Sequence, residues 1–212
     1  MTRRFLQILL TSLLLTASTF AVAQDLRFAS LTAAFAPRHL PEGATSVAPR
    51  GHVRFCNLHP AECQPSGDIV AAIKLEPAHR AELERINYAY NISIEPVTDL
   101  EQYGESDRWT YADTGKGDCE DYVLEKRRAL IQLGWPASVL LITVVRDHNG
   151  DGHAVLTVVT DQGDLILDNQ DDRILTWKET GYRFVKRQAR LDPASWVSLG
   201  ERIVPQVVGS RR

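Results

Sequence analysis

Three hydrophobic patterns follow one another along the chain. Residues 5–23 are dense in apolar and small side chains. From Pro77 the apolar positions recur at spacings of three and four, and from Ser138 they fall in short β-branched runs divided by turn residues. Between the first two patterns, residues 24–65 are rich in Ala, Pro, Gly and Thr and have little period. That stretch reads as an extended segment laid on the rest.

The middle pattern predicts two helices. Leu83, Ile86, Tyr90 and Ile94 mark one apolar face of a helix that begins near Pro77 and stops before Pro96. Residues 98–104 read as a cap and a short turn. A second helix is expected over 119–133, with Asp118 as its cap and Gly134 and Pro136 as its stop. Tyr122, Val123, Lys126, Ala129, Leu130 and Leu133 form its inward stripe. The third pattern predicts strands over 138–146, 153–160, 165–168 and 182–188, with turn chemistry at 147–152 and 161–164. Helices followed by an antiparallel meander make the fold class α+β, the sheet packed on the helix that carries Cys119.

The leading residues have the form of a secretory signal peptide: a basic start at Arg3 and Arg4, an apolar stretch, and Ala21-Val22-Ala23 before a cut. The apolar stretch falls short of the roughly 20 residues of a bilayer span, and no Cys follows Ala23 to carry a lipid. The expected product is exported to the periplasm, an oxidising compartment, without a membrane span. Residues 66–212 then form one domain of ordinary size. Losing Arg3 and Arg4 moves the net charge from −3 to −5, and that acidity argues against nucleic acid as a partner.

Of the three cysteines, Cys56 and Cys63 stand seven positions apart in a Pro-containing stretch that suits a small disulfide. A zinc site with His59 is the competing reading, and it lacks a fourth ligand. If those two pair, Cys119 is the odd thiol. At a helix N-terminus, unpaired N–H groups and the positive end of the dipole favour a thiolate and can stabilise an oxyanion. Asp118, Glu120 and Asp121 oppose this, unless a cation neutralises them. His153 opens one expected strand and Asp168 closes the next, so a hairpin brings them to one end of the sheet. Nucleophile, base and orienting acid in that order suit Cys119, His153 and Asp168. Taken singly, each has a plainer use as a small core residue, a turn residue or a strand-end cap.

The runs Gly117-Asp118-Cys119-Glu120-Asp121-Tyr122, Gly152-His153-Ala154-Val155-Leu156 and Leu167-Asp168-Asn169 resemble the signature blocks of the bacterial transglutaminase-like cysteine proteinases. Residues 87–91 and 98–109 are also similar, and the resemblance covers roughly residues 56–187. It implies a papain-like, transglutaminase-like core with Cys119, His153 and Asp168 as catalytic residues. The implied activity is hydrolysis of a periplasmic or cell-surface protein through a thioester, with no cofactor required for the chemistry. It also implies calcium at Asp118, Glu120 and Asp121, as in the adhesin-releasing members; capping of the helix is the other use of these acids. The Cys56/Cys63 pair and the compact size set the chain nearer to a shorter branch of unassigned substrate. Transglutaminase or deamidase action on glutamine, and a non-catalytic periplasmic binding domain, are the rival readings.

Three weaker signals complete the sequence. Asp147-x-Asn149-x-Asp151-Gly152 matches half an EF-hand loop, but Val158 stands where the bidentate Glu belongs, so a hairpin turn is expected. Trp109 is expected in the core rather than beside the thiol. Asn87 and Asn91, one helical turn apart, suit either a cleft wall or a polar helix surface.

Overall fold

The computed structural model of the protein describes residues 38–200; the expected signal peptide, residues 1–23, lies outside them. Its elements are β1 (Glu42–Ser46), α1 (Arg50–Leu58), a 3-10 turn (Pro60–Cys63), α2 (Pro77–Ser93), β2 (Glu95–Pro96), α3 (Asp99–Tyr103), β3 (Lys116–Gly117) and α4 (Cys119–Gln132). A second 3-10 turn (Ala137–Val139) leads to β4 (Leu140–Arg146), β5 (Gly152–Thr160), β6 (Gly163–Leu167), β7 (Leu175–Thr176), β8 (Arg183–Gln188) and β9 (Trp196–Leu199). Seven of the strands form one sheet in the order β1-β9-β8-β4-β5-β6-β7, with antiparallel neighbours throughout. The expected β4–β5–β6 meander is its centre, so the fold is α+β.

The strands read as continuous apolar runs because both faces of the sheet are covered. On one face α2 and α4 pack Leu83, Ile86, Val123, Leu124 and Leu130 against Ile142, Leu156, Val158 and Leu165. On the other, Leu40, Phe184 and Leu199 cluster with Val145, Val155 and Ile166. Each fully buried aliphatic side chain contributes about 1.5–3 kcal/mol. The apolar face of α4 therefore fixes where its N-terminus meets β5 more strongly than any single polar contact at that end.

Both long helices end where their punctuation says. Pro77 opens α2, and Glu76 and His79 form a capping box. Past α4, Gly134 takes φ +94, the Gly134 N–H donates to Ile131 O at 2.9 Å and the Trp135 N–H to Leu130 O at 3.0 Å. Those two bonds satisfy the last helical carbonyls in a left-handed turn that only glycine adopts cheaply. The start of α4 differs from expectation. Asp118 precedes the helix, but its side chain does not cap it; Oδ2 accepts the Asp99 N–H at 3.2 Å instead.

The expected extended segment is structured over most of its described part. β1 pairs with β9, and α1 buries His52 and Phe55. The helix lacks a sequence signature because Gly51 sits near its start, where a Cβ would lie 2.2 Å from Trp109 Cδ1 and 2.7 Å from Asp107 O. Cys56 and Cys63 are bonded to each other with Cα atoms 5.5 Å apart, which leaves neither thiolate for zinc. His59 stacks on Phe55 and Tyr111. The half EF-hand sequence is a hairpin turn, Asp147 Oδ1 accepting the N–H groups of Asn149 and Asp151 at 2.9 Å each.

Candidate active site

Cys119 is the first residue of α4 and lines a cleft of about 440 Å³ between that helix end and the wall of β4, β5 and β8. Glu120, His153, Ala154 and Trp109 line the same cleft. Burial pushes the Cys119 thiol well above its ordinary range, and the Glu120 carboxylate adds to the shift, accepting the S–H at 3.1 Å; the Ala154 N–H works the other way. The thiol therefore rests protonated. Trp109 is a core residue, packed edge-on against His52 and Trp196, and its indole N–H is engaged by Asp107 Oδ1 at 3.0 Å.

His153 and Asp168 come together as the hairpin geometry requires, because β5 and β6 pair from Leu156↔Leu167 outward. His153 Nε2 lies 2.8 Å from Asp168 Oδ1, with both side chains buried. A carboxylate on Nε2 holds the ring proton there and leaves the Nδ1 lone pair as the basic position. The side-chain amide of Gln170, an exposed residue, stands 3.5 Å from Nδ1. Burial opposes ionisation of Asp168, but donors from His153, the Gln170 N–H and the Tyr182 hydroxyl outweigh it and hold the carboxyl below its usual range. The Tyr182 bond is 2.7 Å, to Oδ2.

Behind this pair, α2 and α4 grip the loop that follows β6. Asn91 Nδ2 donates to Asp168 O at 2.9 Å and to Asp172 Oδ1 at 2.8 Å. Asn87 is fully buried, donates to the carbonyls of Asp171 and Asp172, and accepts the Lys126 ammonium at 2.7 Å. Asn87 is buried and Asn91 half-buried, and neither lines the cleft; both fasten the segment that carries Asp168. Tyr182 had no signal in the sequence beyond heading an expected strand, and Gln170 none beyond its place in the Asp-Asn-Gln run after β6.

The acids around the thiol form a second arrangement. Carboxylate oxygens of Asp99, Asp118 and Asp121 lie within 4.8 Å of one another, and so do ligand atoms of Asp118, Cys119 and Glu120. Burial pushes Glu120 well up, aided by Asp118, and pushes Asp121 up to about 8 against the Thr110 N–H that donates to it. Asp118 Oδ1 and Asp121 Oδ2 are buried with no hydrogen-bond partner. Orphaned carboxylate oxygens in so tight a group fit a hard divalent cation, which takes six to eight oxygens when it is calcium. Asp99 joins this set through the α3 turn, where the sequence offered only a helix cap.

A helix-borne thiol facing an antiparallel sheet that carries a buried histidine–aspartate pair defines a transglutaminase-like α+β protein. The chain belongs to the bacterial transglutaminase-like cysteine proteinases, whose family profile matches residues 42–203. The match takes in β1, α1 and β9 beyond the span of the sequence resemblance, while the chain spans just under two thirds of the first solved structure it resembles. Among solved structures it is similar to Legionella pneumophila LapG, with 28% identity over 54% of this chain and 65% of that one, at a TM-score of 0.46. Against the calcium-bound form of that protein the identity is 26%, over 62% of this chain and 76% of the other, at a TM-score of 0.49. Curated protein sequences give no match. Among the described residues no helix is long and apolar enough to cross a membrane.

Proposed function

We propose that the chain is an exported cysteine hydrolase that cuts a peptide bond in a periplasmic or cell-surface protein, with Cys119 as nucleophile, His153 as acid–base and Asp168 as orienting acid. The observation that carries this reading is the buried His153 Nε2–Asp168 Oδ1 contact of 2.8 Å in a cleft whose other wall holds Cys119. His153 Nδ1 takes the thiol proton as Sγ bonds to the scissile carbonyl carbon, once the Gln170 amide moves aside. The N–H groups at the start of α4 that precede Asp121, whose own N–H donates to Asp118 O at 3.1 Å, receive the oxyanion. The amide nitrogen takes the proton from His153 and leaves as an amine. Water, deprotonated by His153, then attacks the thioester; the new carboxylate departs and the proton returns to sulfur.

Asp118, Glu120 and Asp121, with Asp99, would hold calcium. Its charge would offset the carboxylates that keep the thiol protonated and so favour the thiolate. Residues 1–23 would direct export and be removed.

The test incubates the protein, with and without a calcium chelator, with the exported proteins of its own cell. New N-termini absent from Cys119→Ala and His153→Ala incubations, both variants remaining folded, are expected. Ammonia release with amine incorporation and no new N-terminus would replace peptidase with glutamine transfer. Unchanged turnover in either variant would sink the triad.

A further inference from the structure

The wall of the cleft opposite Cys119 carries two cations that the chemistry above leaves unused. In the sheet register Val144 pairs with Ala154 on one side and Lys186 on the other, while Arg146 pairs with Gly152. Side chains two apart on a strand share a face, so Arg146 lies on the face of Val144. Both cations line the same cleft as Cys119 and His153. Gly152 has no side chain to stand over, and Arg146 Nη1 lies 3.7 Å from where its Cβ would be. The guanidinium thus occupies the mouth of the cleft, beside the residue that precedes His153.

Neither cation forms a salt bridge with a described residue, although Asp107 lies near enough to act on the Lys186 charge. Arg146 Nη1 meets only Gly150 O, at 3.4 Å, and Lys186 Nζ only Val47 O, at 2.8 Å. The cleft's acids are engaged elsewhere. Asp107 accepts the Gly51 N–H at 2.8 Å and the Trp109 indole N–H at 3.0 Å, and Glu120 faces the thiol. A guanidinium with most of its five donors free is a ready fork for a carboxylate, and a neighbouring ammonium adds a second charge.

We propose that Arg146 and Lys186 form a carboxylate-binding subsite that makes the enzyme select an acidic side chain close to the scissile bond. The inference rests on the peptidase reading above and names its substrate class: an extended segment lying along β4 and β8 with an Asp or Glu turned to that wall. A substrate segment with a basic side chain at that place is rejected by like charge.

The experiment separates this subsite from the chemistry. Fluorescein-labelled random octapeptides with blocked termini are made as two pools, one with a central Asp or Glu and one with a central Asn or Gln. The Cys119→Ala variant of the chain, in calcium, is titrated with each pool by anisotropy. The unsubstituted enzyme digests the same pools, with cut positions read by mass spectrometry. The acidic pool should bind at least about fivefold tighter, the scale of one to two partly exposed ion pairs, and cuts should gather within two residues of the acid. Adding Arg146→Gln and Lys186→Gln should bring the binding ratio near one, and Arg146→Glu with Lys186→Glu should turn it below one. Equal binding of the two pools, or a preference that survives the double Gln variant, overturns the subsite. An acid preference in binding with no cutting of either pool keeps the subsite and overturns the peptidase reading. Cutting without preference does the reverse.

Discussion

Asp168 is held by its environment on every polar side, and Tyr182 holds the oxygen that His153 does not use. Tyr182 does not line the cleft of Cys119; it lines a separate 160 Å³ hollow behind Asp168 with His148 and Thr180. Removing its hydroxyl therefore alters the surroundings of Asp168, the proposed orienting acid, without altering the lining of the Cys119 cleft. A hydrogen bond to a charged group contributes about 1.5–3 kcal/mol. Tyr182→Phe should lower kcat roughly tenfold with KM nearly constant. The hydroxyl is one of the donors that hold the Asp168 carboxyl low, so its loss should also move the acid limb of the kcat/KM profile to higher pH. A drop in melting temperature with an unmoved acid limb would reduce Tyr182 to a structural residue.

At the scale of elements, the site depends on α2 and α4 gripping the loop after β6, and Lys126 is the charged part of that grip. Its ammonium is fully buried against Asn87 Oδ1, with the Tyr122 ring on its own helix and Asp168 and Asp172 on the loop as the groups facing it. Burial lowers its pKa to about 7, the two aspartates opposing the shift. Between pH 7 and 10 the unfolded chain therefore keeps a proton that the folded chain has released, and stability rises with pH across that window. Measured by urea unfolding, the stability of the native chain relative to Lys126→Met should increase from pH 7 to pH 9.5. A pH-independent difference would mean that Lys126 stays charged.

The same scale explains what could be read in the sequence. α2, α4 and the β4–β6 meander were legible because their periodicity and turn residues are local, and Cys119, His153 and Asp168 came with them. β1, β7 and β9 were not: β7 and β9 are only two and four residues long, and β1 takes its place from a partner far away in the chain. For example, Glu42 pairs with Leu199. Asn87 and Asn91 showed their shared helix face but not the loop that covers it. Arg146 and Lys186 were invisible as a pair, because the β4–β8 register, which shifts at Val144/Val145, sets their proximity.

At the scale of the whole molecule, the acids at the start of α4 tie stability to pH, and the proposed calcium to both. In the cation-free protein burial raises Asp99 and Glu120 and raises Asp121 to about 8, whereas their unfolded values lie near 4. From pH 4 to pH 8 the folded state therefore holds protons that the unfolded state has lost, and these groups make stability fall as pH rises through that window. Calcium needs the carboxylates ionised, so binding releases those protons and strengthens as pH rises. Calcium at about 100 times its dissociation constant contributes about 2.7 kcal/mol, which corresponds to roughly 5–10 °C for a chain of this size. The shift in melting temperature on adding calcium to chelator-treated protein should approach that range at pH 8 and be less than half as large at pH 5. His52, lowered to about 4 by burial, and Lys126 also titrate across this range, but both contribute equally with and without calcium and cancel in the difference. Asp118→Asn together with Asp121→Asn should raise the melting temperature of the cation-free protein at pH 8, since it removes the crowded charge, and should abolish the calcium response. A calcium shift of the same size at both pH values would place the cation away from these acids, and the absence of any shift would leave them as carboxyls that simply stay protonated.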